Sequence, residues 1–245
     1  VQFTATAAAS SELGGFDRLA AYTVNGSGLG ADSDGDGIAG HGNAPNGTMW
    51  LSNNETTPWI RFDIQKDSFL DRTLIWNYNE VNFSSRGMRT ATIKFASDAA
   101  VADGLNLSDP NDPLWTTLAT DVPFTRADQS AAYEAVDEFF FGNSSVLARH
   151  VLIQAQTNFG DPQYTGLSEA QFFGQAKIDV AGVTASSQLV EFQFNRPAGN
   201  TIDGLGHSTT SPDGNPGQVE GMWLTAANDP NPSITFDLGG PHRLD

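Results

Sequence analysis

Cysteine is absent from the 245-residue sequence, and long apolar runs are absent as well. Without cysteine, the chain forms no disulfides and offers no thiolate metal ligand or cysteine nucleophile. No stretch approaches the roughly 20 consecutive apolar residues of a membrane-spanning helix, so we expect no insertion into a membrane. The chain begins at Val1 without a basic-then-apolar leader, and we expect a signal peptide to be absent from it.

Positive charge is also scarce: 12 Lys and Arg stand against 29 Asp and Glu, which gives a net charge of −17. Such a chain repels phosphate backbones and anionic lipids, which argues against nucleic-acid and membrane partners. With 39% hydrophobic residues, it still has enough apolar material for a folded core. Few lysines, no cysteine and many small polar residues indicate a bacterial protein that is extracellular or on the cell surface.

The common enzyme signatures are missing. There is no H-E-x-x-H motif, phosphate-binding Gly-Lys loop, G-x-S-x-G elbow or dinucleotide fingerprint. The close carboxylate cluster of Glu134, Asp137 and Glu138 adjoins the apolar run Phe139–Phe141. We interpret it as a solvated flank rather than as the carboxylate pair of a glycoside hydrolase. The sequence therefore predicts that the protein is not an enzyme.

Alternating apolar and polar residues predict strands in several places. In Trp59–Ile64 every even-numbered residue is large and apolar, which is the period-two pattern of a half-buried strand. The same pattern recurs at 74–79, 91–95 and 151–155, with turn-rich stretches between them. A short turn near 97–103 is the best helix candidate. The pattern predicts an all-β, antiparallel β-sandwich.

The sequence also repeats itself, and the matching segments occur in the same order. Ser10–Leu13 recurs as Ser186–Leu189, Phe16–Arg18 as Phe194–Arg196, Val24–Leu29 as Ile202–Gly206 (with Asp203 matching Asn25), Met49–Ser52 as Met222–Thr225, and Trp59–Ile64 as Ser233–Leu238. We interpret this as a tandem duplication, with a first copy at 1–174 and the beginning of a second copy at 175–245.

The second copy lacks a counterpart of Asp71–Gly174. A sheet that has lost these strands exposes unpaired edges and part of its apolar face. Three outcomes stay open: the native chain continues past Asp245, another chain completes the second copy, or the second copy packs on the first.

Six segments carry a likeness to a known family: Asn25–Leu29, Met49–Ser52, Trp59–Ile64, Trp76–Asn79, Arg86–Gly87 and Tyr164–Phe173. In order and spacing they resemble the discoidin-like (coagulation factor 5/8 type C) galactose-binding-like domains, in the variant found in large extracellular bacterial proteins. The resemblance implies an eight-stranded, jelly-roll-like sandwich with its ligand loops at one end. It also implies a non-catalytic module that binds sugars, glycans, lipids or proteins.

The resemblance further implies one structural calcium ion, held between an early loop and an acidic residue of the last strand. The matching positions here are Asn25 and Glu169, with Asp203 as the counterpart of Asn25 in the second copy. Asn25 stands where the family usually has Asp, and an amide oxygen also ligates calcium. The second copy has no counterpart of Glu169, so it cannot complete such a site alone.

A second candidate calcium site is the acidic loop at 32–38. Asp32, Asp34 and Asp36 supply oxygens at alternate positions, a glycine follows, and Ile38 supplies a backbone carbonyl. This is the first half of an EF-hand-like loop, although its twelfth position is Asn43 rather than a bidentate Glu. The alternative, a solvated acidic loop, stays open.

The candidate ligand-binding residues are Asn77, Asn79, Asn82, Arg86 and His41. Amide and guanidinium donors near one end of the sandwich suit the recognition of sugar hydroxyls or a carboxylate. His41 has a matched partner in His207, and its imidazole can both donate and accept. Alternatively, the asparagines and the histidine satisfy backbone groups of their own loops.

Two functions follow. The favoured one is a non-catalytic extracellular binding or adhesion module, stabilised by calcium, whose partner is a carbohydrate or cell-surface polymer. The alternative is a structural subunit of a cell-surface layer or extracellular filament. In that case, the chains would self-associate through 175–245 and complete the truncated repeat between them.

Overall fold

The computed structural model describes residues 1–32, 34–141, 146–177, 180–191, 194–202 and 223–240. They fall into two units, Val1–Lys177 and Ile178–Asp245. The strands of the first unit are β1 (Gln2–Phe3), β2 (Thr6–Ala9), β3 (Trp50–Leu51), β4 (Trp59–Asn77), β5 (Met88–Ala96), β6 (Thr116–Pro123), β7 (Asp137–Phe140), β8 (Val146–Asn158) and β9 (Gly166–Ala176). Its helical segments are α1 (Asp98–Ala102), which confirms the predicted short helix, and the 3-10 turns Gly14–Phe16, Ala20–Val24 and Ser84–Arg86.

Strand β4 has 19 residues, and its two halves differ in some of their neighbours. Residues 59–63 pair with β2 and β8, whereas residues 68–77 pair mainly with β9 and β7. The register shifts between Asp63 and Ser68, where Gln65 has a left-handed φ of 76°. A register shift of this kind bends a strand, so β4 takes part in two layers. All these pairings are antiparallel, and the predicted all-β sandwich is confirmed.

The core lies between the two layers and follows the predicted alternation. Ile60, Phe62 and Ile64 are at most 3% exposed, and Phe62 packs on Phe172 of β9 with ring centroids 5.0 Å apart. Trp50 is fully buried, and its indole Nε1 donates to a backbone carbonyl 2.9 Å away. Burying these large side chains is the main favourable contribution to folding.

A partly buried side chain connects the loops at one end of the sandwich by hydrogen bonds. Asn158, at the end of β8, donates from Nδ2 to the carbonyls of Asp161 and Tyr164 and to the hydroxyl of Thr165. An isolated parallel β-bridge pairs Gly87 with Gly166. Because these polar groups are satisfied internally, the loops keep defined positions relative to the strands.

The second unit contains β10 (Gly182–Ala185), β11 (Leu189–Glu191), β12 (Phe194–Arg196), the 3-10 turn Ala198–Thr201 and β13 (Ile234–Asp237). β10 pairs antiparallel with β13, and β11 pairs antiparallel with β12. Trp223 donates from Nε1 to the Ser187 carbonyl at 3.0 Å. Asp203 and His207, the predicted counterparts of Asn25 and His41, lie outside the described residues.

The hydrogen bonds around Ser186 and Ser187 have close counterparts in the first unit. Both hydroxyls donate to the Asp229 carboxylate at 2.6 Å, and in the first unit the hydroxyls of two adjacent serines donate to Glu55 at 2.7 Å. The backbone N–H of Ser186 donates to the carbonyl of Ser233 at 2.9 Å, as Ser10 does to Trp59 at 3.0 Å in the first unit. This arrangement of hydrogen bonds is therefore common to the two units.

None of the helices in the described residues has the length and apolar content required to cross a membrane.

Gly166→Ala tests the close approach of β9 to the loops. A Cβ at Gly166 would lie 2.4 Å from the Trp50 carbonyl oxygen and 2.6 Å from the ring of Tyr78. Since both neighbours are fully buried, we expect the free energy of unfolding in urea to fall by about 1–3 kcal/mol. The control is Gly15→Ala, where the added Cβ meets no atom within 4 Å. Equal stability of the two variants would contradict this packing.

Candidate functional site

A cavity of about 260 Å³ opens at the loop end of the first unit. We call it the aromatic groove, and six of its lining residues define it here: Phe16, Arg18, Glu80, Phe83, Arg86 and Tyr164. They come from three loops that are far apart in the sequence. The first follows β2, the second runs from β4 to β5, and the third joins β8 to β9.

Glu80 contributes a largely buried carboxylate to the lining of the groove. Glu80 Oε2 accepts hydrogen bonds from the hydroxyl of Tyr78 at 2.6 Å, from Arg86 Nη1 at 2.9 Å and from Arg18 Nη1 at 3.2 Å. The side chains of Arg18, Glu80 and Arg86 are only 8%, 14% and 16% exposed. Arg18 also donates to the Tyr78 hydroxyl and to Asn46 Oδ1. One carboxylate thus fixes the positions of both arginines.

The pKa values of this cluster reflect its burial and its charges. Burial alone raises the pKa of Glu80, but hydrogen bonds from Arg18 and Tyr78 and the two arginine charges outweigh it, so this pKa lies below its ordinary value. Burial, followed by the charge of Glu80, raises the pKa of Tyr78. At neutral pH the cluster therefore contains an ionised Glu80, two guanidinium cations and a neutral tyrosine.

Arg86 contacts two aromatic rings and two carboxylates. Its guanidinium carbon lies 4.0 Å from the ring centroid of Phe83 and 5.0 Å from that of Tyr164, and Nε donates to Asp161 Oδ2 at 3.2 Å. A guanidinium has five N–H donors, more than its carboxylate contacts with Glu80 and Asp161 use. Because Nε and Nη1 make the ion pairs with Asp161 and Glu80, the Nη2 group takes part in neither of them.

Exposed rings sit next to this ordered polar cluster. Phe16 is 64% exposed and Phe83 is 41% exposed, although large apolar side chains are usually buried. An aromatic face beside fixed donors suits a small ligand with one apolar side and several hydrogen-bond acceptors. The groove therefore combines stacking and hydrogen bonding at one place.

Of the predicted ligand residues, Arg86 lies in the groove, but Asn77 and Asn79 do not. Asn77 is fully buried, donates to the carbonyls of Met88 and Thr125, and accepts from the backbone N–H groups of Tyr78 and Met88. This corrects the prediction that Asn77 contacts a ligand, because each of its side-chain hydrogen-bonding atoms already has a partner. Its role is to hold the end of β4 beside the start of β5.

Asn79 needs the same correction. It is fully buried, and its Nδ2 lies 2.8–3.1 Å from the carbonyls of His41, Gly42 and Ser130. Its Oδ1 accepts from the Gln129 backbone N–H at 2.9 Å. The side chain therefore joins three loops, and it is inaccessible to a ligand at the surface.

His41 and Asn82 also lie away from the lining of the groove. His41 is fully buried, Nδ1 bonds to the Gly42 carbonyl at 2.8 Å, and its backbone pairs with Tyr133. Burial lowers the pKa of His41, which keeps the ring neutral. Asn82 is exposed with a φ of 66°, and its backbone N–H donates to Gln129 Oε1. The predicted contact of His41 with a ligand is corrected by this burial, whereas ligand contact by Asn82 stays a prediction.

A second cavity, of about 380 Å³, contains the candidate calcium residues Asn25 and Glu169 in its lining. Glu169 is 2% exposed; Oε1 accepts from the Gly26 N–H at 3.2 Å, and Oε2 has no hydrogen-bond partner in the described part of the chain. Burial raises the pKa of Glu169 to about 8. Asn25 Oδ1 accepts from the Ser27 N–H. A buried carboxylate oxygen without a partner fits a hard cation, which takes oxygen ligands.

The acidic loop brings Asp32, Asp34 and Asp36 together, with carboxylate oxygens within 4.8 Å of one another. All three side chains are exposed, and each accepts from backbone N–H groups of the same loop, including that of Ile38 at 2.7 Å from Asp36. Hydrogen bonds from the Gly37 and Gly35 amides lower the pKa of Asp32. Calcium binding by this loop stays a prediction.

No family model matches the chain, and no curated protein matches it. Solved structures of bacterial carbohydrate-binding modules are similar to it. CpGH89CBM32-5 from Clostridium perfringens, in complex with GalNAc-β-1,3-galactose, is 12% identical with a TM-score of 0.48, over 71% of this chain and 100% of that one. The family 32 module of C. perfringens NanJ, in complex with galactose, is 14% identical with a TM-score of 0.47, over 70% and 98%.

A chitosan-binding module from a chitosanase/glucanase of Paenibacillus sp. IK-5 is 18% identical with a TM-score of 0.42, over 70% of this chain and 96% of that one. The chain thus resembles such modules over about 70% of its length.

The depressed pKa of Glu80 predicts how stability depends on pH. A carboxyl group whose pKa is lower in the folded state contributes stability above its unfolded pKa, near 4.5, and loses it as pH falls through the folded pKa. We expect Glu80→Gln to destabilise the chain at pH 7 and the difference from the unmodified chain to shrink below about pH 4. Urea unfolding at several pH values measures this. A difference that stays constant with pH would contradict it.

Proposed function

We propose that the aromatic groove binds carbohydrate and that the first unit is a non-catalytic carbohydrate-binding module of an extracellular or cell-surface bacterial protein. The observation that carries the proposal is the exposed pair Phe16 and Phe83 beside the fixed guanidinium of Arg86. A sugar ring has a C–H face that stacks on an aromatic ring, and hydroxyl groups that accept from a guanidinium.

The charges of the groove favour a neutral sugar. Arg18 and Arg86 are balanced by Glu80 and Asp161, to which they are bound directly. The chain as a whole carries a net charge of −17, which repels polyanionic glycans. We therefore expect neutral glycans or a neutral cell-surface polymer to be the partner.

Phe83→Ala tests the proposal. Loss of the stacking face should weaken sugar binding by about tenfold or more, which corresponds to about 1.4 kcal/mol. The measurement is isothermal titration with sugars first found by screening a panel of neutral and acidic glycans. Phe140→Ala is the matched control, since Phe140 is also an exposed phenylalanine and lies on β7 outside the groove. Equal weakening in both variants, or no binding to any glycan, would contradict the proposal.

We also propose that calcium stabilises the first unit through Glu169. The unpartnered Oε2 of Glu169 and the neighbouring cavity support this, and Asn25 supplies a further oxygen. A cation there would pair with a carboxylate that is otherwise buried without compensation, which is costly. It would also join the loop after Val24 to the last strand of the sandwich.

Glu169→Gln tests the calcium proposal. At a calcium concentration about 100 times the dissociation constant, binding should stabilise the unmodified chain by about 2.7 kcal/mol and raise its Tm. Glu169→Gln should abolish this increase, and the exposed control Glu134→Gln should keep it. An increase that survives Glu169→Gln and disappears in Asp34→Asn would contradict this site and assign calcium to the acidic loop.

The alternative function, a subunit of a surface layer or filament that self-associates through the second unit, stays a prediction.

A further inference from the structure

The loop that carries Phe83 also carries an exposed asparagine. Asn82 directly precedes Phe83, and its backbone N–H donates to Gln129 Oε1 at 2.5 Å. In the described part of the chain, the carboxamide of Asn82 forms no hydrogen bond, whereas Asn77 and Asn79 use theirs to join loops. Both Oδ1 and Nδ2 of Asn82 are therefore available to a ligand.

A second loop, at residues 125–130, is joined to the loop of Phe83 by several hydrogen bonds. Besides the bond between Asn82 and Gln129, the Gln129 N–H donates to Oδ1 of the buried Asn79 at 2.9 Å. Arg126 Nε donates to the hydroxyl of the buried Ser84 at 3.1 Å. Because these buried groups are satisfied by the neighbouring loop, the two loops keep fixed positions relative to each other.

Arg126 has donors that its contacts within the protein leave unused. Its side chain is exposed, its guanidinium carbon lies 5.7 Å from the ring centroid of Phe159, and Nε makes the bond to the Ser84 hydroxyl. Arg18 and Arg86 of the aromatic groove are both bound to a carboxylate. Arg126 forms no ion pair with any residue that the structure describes, and its Nη1 and Nη2 groups can donate to a ligand.

The backbone is strained at both ends of the hydrogen bond between Asn82 and Gln129. The angle φ is 66° at Asn82 and 69° at Gln129, a left-handed region that residues other than glycine seldom adopt. Strained residues of this kind persist only where the surrounding structure fixes them, and they concentrate at functional sites. The strain therefore supports a role in binding for this pair of loops.

We propose that Asn82, Arg126 and Gln129 form a second subsite, which binds the next sugar residue of an oligosaccharide whose first residue stacks on Phe83. This inference rests on the proposed function of the aromatic groove. Adjacent Cα atoms are about 3.8 Å apart, so the residue linked to a sugar on Phe83 lies within reach of Asn82. The Asn82 carboxamide both donates and accepts and the Arg126 guanidinium donates, which suits neighbouring sugar hydroxyls.

The charges of the two loops indicate a neutral sugar at the second subsite. In residues 80–86, Glu80 balances Arg86. In residues 125–130, Asp128 balances Arg126. A carboxylate or sulfate on the ligand would therefore meet no excess of positive charge here. The ligand is accordingly a neutral oligosaccharide, and a monosaccharide fills the aromatic groove alone.

Isothermal titration of the full chain with matched sugars tests the second subsite. The probes are galactose with galactobiose, glucose with cellobiose, and mannose with mannobiose. In the pair that binds, the disaccharide should bind about tenfold more tightly than the monosaccharide, because the second residue adds hydrogen bonds.

Asn82→Gly should remove this gain. Glycine accepts a φ of 66° without steric cost, so the substitution deletes the carboxamide and keeps the backbone conformation. The monosaccharide affinity should change by less than about threefold, which also shows that the variant is folded. Asn54→Gly is the matched control and should keep the gain, since Asn54 is also exposed, has a φ of 57° and lies outside the lining of the groove.

The outcomes separate the second subsite from the groove. Equal affinity for the two sugars of the binding pair would overturn the second subsite and leave the groove as the binding site. A gain that survives Asn82→Gly would overturn it as well. Absence of binding by all of these sugars would also overturn the second subsite as stated, whereas the proposed function fails only if the wider glycan panel shows no binding.

Discussion

The bend in β4 is the constraint on which the rest of the first unit depends. β2 pairs with residues 60–63 of β4, β9 pairs with residues 68–77, and β8 pairs with part of both stretches, so one continuous strand contributes to both layers and aligns them. The core forms where these layers face each other, around Phe62 and Phe172. The strand then ends at Asn77, just before Tyr78 and Glu80. β4 therefore contributes to the core and also places Glu80, the carboxylate that binds both arginines of the groove.

Burying Glu80 is costly unless its charge is compensated, and two arginines and a tyrosine hydroxyl supply that compensation. In return, Arg86 is held between two rings and two carboxylates before any ligand arrives. A pre-ordered donor loses little conformational entropy on binding, so more of each contact contributes to affinity. The exposed rings of Phe16 and Phe83 therefore lie beside charged side chains whose positions are already fixed.

Local sequence patterns predicted parts of β4, β5 and β8 and their buried side, because alternation in segments such as Trp59–Ile64 reports directly which side is buried. They predicted no strand at β2 or β6. They were less informative about the site. An asparagine that binds a ligand and one that joins loops look alike in sequence, so ligand contact was predicted for Asn77 and Asn79, which are buried and bond to the backbone instead. Arg18 and Glu80 were missed because only the folded chain brings them together. The repeated Phe16–Arg18 motif was the available signal.

The central claim is that the aromatic groove is the place where a ligand binds, and NMR measures this most directly. A neutral sugar that binds the isotope-labelled chain should shift the backbone amide resonances around Phe16, Phe83, Arg86 and Tyr164, and leave those around His41 and Phe140 nearly unchanged. Shifts confined to residues outside the groove, or spread evenly over the surface, would contradict the account.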